Sequence, residues 1–225
     1  MKETDIAAVP AADPEVTLLM PRGMTGGELV LLVGEGGEAE RAAAMMTKDA
    51  AMMCVRCADW DGCLSPWPAP KAFRSGNDFS GGAGEYLRSI LGALPAAEAA
   101  LGFAPSRRWI AGYSLAGLFA VYALYECGAF DGAACVSGSL WFDGFTDYMA
   151  AHRPVKTPER VYFSLGQTEA ATRNSRLAAV ERETARAEEI MRLSGADTVF
   201  ERNPGGHFAD DAPRLAKGID WLLGR

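Results

Sequence analysis

Histidine is nearly absent from this chain, with two residues in 225, and cysteine stops at five. Cys54-x-x-Cys57, with Cys63 close behind, is half of a structural zinc site. No second Cys pair and no spaced His pair completes it. In the strand-like run Ala51–Val55 a thiol behaves as a small apolar group, so no metal is expected. Five is an odd number, and the spacing is not that of a secreted disulfide framework, so reduced thiols are expected.

A basic excess is missing too. The 22 Lys and Arg are scattered and outnumbered by 29 Asp and Glu, for a net charge of -7, which argues against nucleic acid as a partner. Nowhere do about 18 apolar residues run together, and "MKETDIAAVPAADPEV" has no basic region followed by an apolar core. No membrane partner is expected, and the location expected is cytoplasmic. Oligomeric state has no mark in the sequence. Internal repeats and low-complexity tracts are absent as well.

What is present is 49% hydrophobic composition, enough for one sizeable core and, at this length, a single domain over residues 1–225. Apolar periodicity alternates between strand and helix. The run Glu28–Val33, "ELVLLV", reads as a strand buried on both faces and ends in the turn "GEGGEAE". Glu38–Thr47 then reads as a helix and Ala51–Val55 as a strand. Asp59–Gly82 reads as a long loop, a kind that tends to be functional. Gly84–Leu94 is a helix that Pro95 ends or interrupts, with a second helical piece at Ala96–Gly102. Trp109–Tyr113, Ala133–Ser137, Val161–Leu165 and Thr198–Glu201 are further strands. Leu115–Tyr125 is apolar all round, as a fully buried helix is. Trp141–Ala151 is amphipathic, Asn174–Leu193 a charged helix, and Pro213–Leu223 closes the chain. Such alternation predicts an α/β fold with a mostly parallel central sheet and helices on both faces.

In such sheets ligands gather at the carboxyl ends of the strands, and Ser114 falls at one. Gly112-Tyr113-Ser114-Leu115-Ala116-Gly117 comes close to G-x-S-x-G, with Ala116 in place of the final Gly. That pattern makes a sharp strand-to-helix turn which exposes a Ser hydroxyl and needs small neighbours for clearance. A serine at a helix start is equally a plain cap. A base and an acid following in the order Ser, Asp or Glu, His distinguish the two.

His207, in "NPGGHFADD" directly after the last strand, is the candidate base, with Gly205 and Gly206 giving its loop room to turn. His152, at the end of an amphipathic segment, needs no special explanation. Glu169 is the only carboxylate in the turn "SLGQTEAATRN" after Val161–Leu165 and is the expected acid. Asp143 and Asp147 are weaker candidates, and Asp210 and Asp211 lie too near His207 in sequence. The oxyanion donors expected are the N–H of Leu115 and that of Glu35 or Gly36 in the "GEGG" turn.

Together "GYSLAGLFA", "CVSGSLWFDGF", "SLGQTEAATRN", "GGHF" and the upstream "DWDGCLSPWPAP" resemble the esterase family of α/β-hydrolases that includes esterase D and the enterobactin-type siderophore esterases. The resemblance runs from about Glu28 to the C-terminus. It implies the α/β-hydrolase fold and a carboxylic ester hydrolase with a Ser nucleophile, a small-molecule ester substrate and no cofactor. Two departures stand out: the His-Gly pair many relatives carry after the early strand is absent, and Gln167 stands where an acidic residue is common.

The mechanism expected is acyl transfer through Ser114, with His207 as base, Glu169 orienting it, and water releasing the acid. Trp60, Trp67, Trp141 and Phe142 are the expected apolar wall for acyl or alcohol groups, although ordinary loop packing would use the same residues. The segment Ser137–Pro158 is too short for a large lid. Two rivals share the fold: an acyltransferase with the same triad, and a non-catalytic protein that binds partners through the "SPWPAP" loop.

Overall fold

The computed structural model describes residues 4–9, 14–34, 37–73 and 76–224. The apolar run at its centre becomes β3 (Leu29–Gly34), in which every residue is buried. A strand with no polar face needs cover on both sides, and it pairs into one sheet with the other strand-forming runs. These are β4 (Ala51–Arg56), β7 (Arg108–Tyr113), β8 (Gly132–Val136), β9 (Arg160–Gly166) and β10 (Asp197–Asn203). All six pair in parallel, in the spatial order β4-β3-β7-β8-β9-β10.

The sheet has two further strands at one edge, β2 (Val16–Pro21), antiparallel to β4, and beyond it β1 (Thr4–Ala8), antiparallel to β2. Neither was expected from the sequence. β1, "TDIAA", is mostly exposed and carries no apolar run, and β2 follows the acidic "ADPE", which masks its short apolar stretch.

Helices cover both faces. On one lie α3 (Ala83–Leu101), α4 (Leu115–Glu126), α5 (Phe145–Ala151) and α7 (Val180–Leu193), and on the other α1 (Glu38–Met45) and α8 (Asp211–Leu222). Every residue of α4 from Leu115 to Tyr125 is buried, as its unbroken apolar character predicts. Phe119 alone, fully buried, contributes on the order of 1.5–3 kcal/mol by leaving water.

Three boundaries differ from expectation. α3 runs straight through Pro95. The proline lies on the exposed face, while Ile90, Ala93, Leu94, Ala97 and Leu101 keep one buried stripe in register on either side of it. Packing along that stripe outweighs the lost hydrogen bond. The loop 59–82 contains α2 (Trp60–Cys63), whose start Asp59 caps by accepting from the Gly62 N–H at 3.0 Å, and a short ribbon of β5 (Pro68–Ala69) and β6 (Phe79–Ser80). The charged segment 174–193 divides into α6 (Ser175–Ala178), capped by the Asn174 side chain, and α7. Between β8 and β9 the one helix is α5, seven residues long.

The five cysteines are free thiols, and burial, with Cys63 adding to it, pushes Cys57 up to about 12. No helix among the described residues is long and apolar enough to cross a membrane.

Candidate active site

β7 ends at Tyr113 and α4 begins at Leu115, so the chain reverses within one residue, Ser114. That residue takes φ 57° and ψ -121°, a backbone region costly for any residue with a Cβ. The turn closes only because its neighbours are small. A Cβ on Gly112 would stand 2.4 Å from the Ala116 carbonyl carbon, and one on Gly117 would stand 3.1 Å from the Gly138 Cα. The Ser114 N–H donates to the Val136 carbonyl at 3.0 Å, tying the turn to the next strand. Ser114 makes no side-chain cap bond to its own helix, so its hydroxyl is available elsewhere.

The candidate base, His207, arrives from the far edge of the sheet. After β10, Pro204-Gly205-Gly206 turns back with Gly205 at φ 84°, and the Tyr113 hydroxyl donates to the His207 carbonyl. The His207 Nε2 lies 3.0 Å from the Ser114 Oγ. On the other side of the ring, Nδ1 lies 2.8 Å from Oε2 of Glu169, which sits in the turn directly after β9. Burial pushes the Glu169 carboxyl up, but hydrogen bonds from His207 and the Gly166 N–H, the His207 charge and the Ser137 hydroxyl outweigh it and hold it below the usual carboxylate value. Three groups from three strand ends thus form one hydrogen-bonded line.

Three of the other carboxylates weighed as acids are engaged elsewhere. Asp143 pairs with Arg176 at 2.9 Å, Asp147 with Arg186 at 2.6 Å, and Asp211 with Arg41 at 3.0 Å. Leu115 opens α4, where first-turn N–H groups have no helical partner. Glu35 and Gly36 lie outside the described residues.

Two cavities meet at Ser114 and His207. One, of about 120 Å³, is walled by Phe73, Trp141, Leu177, Val180 and Phe208, with Ser139 and Thr172 adding hydroxyls. The other, of about 420 Å³, is charged as well as aromatic, with Glu38, Arg41, Trp60 and Asp211. Of the four aromatics expected to form the wall, Trp60 and Trp141 do line these cavities. Trp67 and Phe142 do not: they pack against each other with centroids 5.8 Å apart, and Trp67 leans on Phe145 and Tyr148 while its Nε1 donates to the Asp143 carbonyl. They back the wall from inside the core.

Sequence reasoning missed Arg214. Its side chain, 2% exposed, lies 3.3 Å from Oε1 of Glu169 and donates to the Ser137 hydroxyl and the Pro204 carbonyl. On a helix that reads as amphipathic, an arginine looks like a solvated cation. Ser137 and Phe208 were missed as well: they lie within the stretches "CVSGSLWFDGF" and "GGHF", but neither residue type suggests a role there.

No family model and no curated protein matches the chain. Solved structures do. An IroE-like serine hydrolase from Shewanella oneidensis aligns with TM-score 0.79 and 16% identity over 98% of this chain and 80% of its own. Siderophore hydrolase EstA from Aspergillus nidulans aligns with TM-score 0.71 and 16% identity over 99% and 94%. Enterobactin hydrolase IroE in complex with DFP aligns with TM-score 0.70 and 15% identity over 100% and 96%. The chain has the α/β-hydrolase fold. In this fold the Ser114 turn stands at the end of β7 in mid-sheet, where the nucleophile elbow of such sheets is placed.

Proposed function

We propose that this α/β-hydrolase is a serine carboxylic ester hydrolase, one domain in extent, acting through an acyl-enzyme on Ser114. The observation that carries the reading is the unbroken line from the Ser114 Oγ through both His207 nitrogens to Glu169, beside an apolar cavity. His207 Nε2 takes the Ser114 proton as Oγ attacks the ester carbonyl. The Leu115 N–H and a second backbone donor, for which the sequence "GEGG" offers Glu35 or Gly36, hold the oxyanion, an interaction worth about 10²–10³ in kcat per donor in well-studied cases. Collapse expels the alcohol, which leaves with the proton from His207. Water then gives a proton to His207 and attacks the acyl carbon, releasing the acid and restoring the Ser114 hydroxyl.

The neighbours are named as serine and siderophore hydrolases, in keeping with ester chemistry. Five free thiols fit a reducing compartment such as the cytoplasm.

The test is hydrolysis of a panel of p-nitrophenyl, aryl and trilactone esters, with an organofluorophosphate used to label the protein. The reading requires turnover of at least one ester class and a label on Ser114. An unlabelled Ser114 together with no turnover would sink it in favour of a binding protein. Products carrying an added alcohol in preference to water would make it an acyltransferase.

A further inference from the structure

Arg214 lines neither cavity that holds Ser114, yet its guanidinium touches every element that sets the His207 ring. Nη1 lies 3.3 Å from Oε1 of Glu169, 3.1 Å from the Ser137 Oγ and 3.3 Å from the Tyr113 hydroxyl, which itself holds the His207 carbonyl. Nη2 donates at 2.6 Å to the carbonyl of Pro204, at the root of the His207 loop. We infer that Arg214 is the positioning residue of this site, fixing the rotation and charge of Glu169 and the path of the loop that carries His207. Its kinetic consequences rest on the ester-hydrolase reading above.

The two oxygens of Glu169 divide their work. Oε1 accepts from the Gly166 N–H and Arg214, and Oε2 faces the His207 Nδ1. With Oε1 gripped from two sides, the carboxylate cannot turn away from the ring. The side chains of Arg214 and Glu169 are 2% and 4% exposed, so the guanidinium faces the carboxylate where little water screens the pair. An ionised Glu169 is what holds the proton on Nδ1 and leaves Nε2 free to accept from Ser114. The planar fork matters as well as the charge, because it spans Glu169 and Pro204 at once, which a lysine ammonium cannot do. The fork keeps this aim although its buried Nε has no acceptor among the described residues, a costly arrangement if the arginine only tied α8 to the sheet.

The test compares Arg214→Met, Arg214→Lys, Glu169→Gln and the double variant Glu169→Gln/Arg214→Met on a p-nitrophenyl ester, with proton NMR of the His207 ring alongside. Arg214→Met should lower kcat about 10- to 100-fold, the scale seen when a partner that orients a functional ligand is lost, and leave KM within about twofold. Arg214→Lys should fall between it and the unmodified protein. Because the arginine acts through Glu169, removing it from Glu169→Gln should cost little more, so the losses do not multiply. A low-field Nδ1–H signal from His207 should be present in the unmodified protein and lost in Arg214→Met.

Normal kcat in Arg214→Met, or a full multiplicative loss in the double variant, overturns the inference. If Arg214→Met fails to fold, the double variant, which buries no unpaired charge, decides it by the same comparison with Glu169→Gln. If the unmodified protein hydrolyses no ester, the functional reading falls. The NMR signal then decides alone: its loss in Arg214→Met upholds the positioning role, and its persistence there, or a loss in the double variant beyond that in Glu169→Gln, overturns it.

Discussion

Ser114 and Ser137 occupy matching positions. Each follows directly on the last residue of a parallel strand, β7 or β8, and the residues before them, Tyr113 and Val136, are paired in the register. Each takes a positive φ, 57° and 46°, and each donates its N–H to the carbonyl of the next strand over. Their hydroxyls meet different neighbours. Ser114 is half-buried and faces an imidazole nitrogen, whereas Ser137 is fully buried and accepts from Arg214. A strained serine at a strand end is therefore a device for aiming a hydroxyl out of the sheet. Under the proposed function, what stands in front of it makes one serine a nucleophile and the other a prop.

The largest effect expected from breaking this pair is at Ser114. Ser114→Ala should lower kcat about 10⁶-fold, the scale of losing a serine nucleophile, with an unchanged melting curve. Ser137→Ala, measured on the same ester, should keep most of the rate. If the two variants lose activity equally, the contrast between nucleophile and prop is wrong.

Glu169→Gln comes next, at up to about 10⁴-fold in kcat, because an amide can support the wrong imidazole tautomer. A rate near that of the unmodified protein would reduce the site to a Ser and His pair.

The third effect is on stability. Glu169 titrates lower in the fold than in the unfolded chain, so as pH falls the unfolded chain takes up this proton first. Its carboxylate therefore stabilises the fold at neutral pH, and that contribution drains away as pH drops below the ordinary Glu value of about 4.3 and through the lower folded one. The difference in denaturation midpoint between the unmodified protein and Glu169→Gln should narrow in acid. A gap independent of pH would show that the carboxyl gains nothing from its partners.

The smallest effect sharpens the comparison further. Ser114→Gly relieves the positive φ and should raise stability by about 1 kcal/mol in a urea titration while abolishing turnover. Ser137→Gly relieves the same strain but loses hydrogen bonds worth about 1 kcal/mol, so its midpoint should scarcely rise. Equal gains at both positions would mean that the Ser137 hydroxyl holds nothing.

Much of this site was readable in one dimension because its parts obey local rules. The elbow needs small residues at fixed offsets, so Gly112, Ala116 and Gly117 mark it. His207 and Glu169 are marked by which strand each follows. The buried strands β3, β7 and β8 announce themselves by apolar runs with no polar face. What was unreadable depends on distant pairing. β1 is a strand because β2 offers it a partner, and nothing in "TDIAA" says so. Arg214 meets Glu169 across 45 residues of chain. Trp67 and Phe142 carry the same aromatic cue as Trp60 and Trp141, and only packing separates lining from backing.

β10 is the outermost strand of the sheet, hydrogen-bonded to β9 alone, and most of its residues are half-buried or exposed. Outer strands open at lower free energy than central ones, ahead of global unfolding. His207 hangs from the end of this strand, while Ser114 is rooted in the middle. On warming or in mild denaturant the proposed base would swing away from an intact Ser114 turn. Activity would vanish over a range where the far-ultraviolet circular dichroism of the sheet has barely changed, and amide exchange would be fastest on the strand that carries the base.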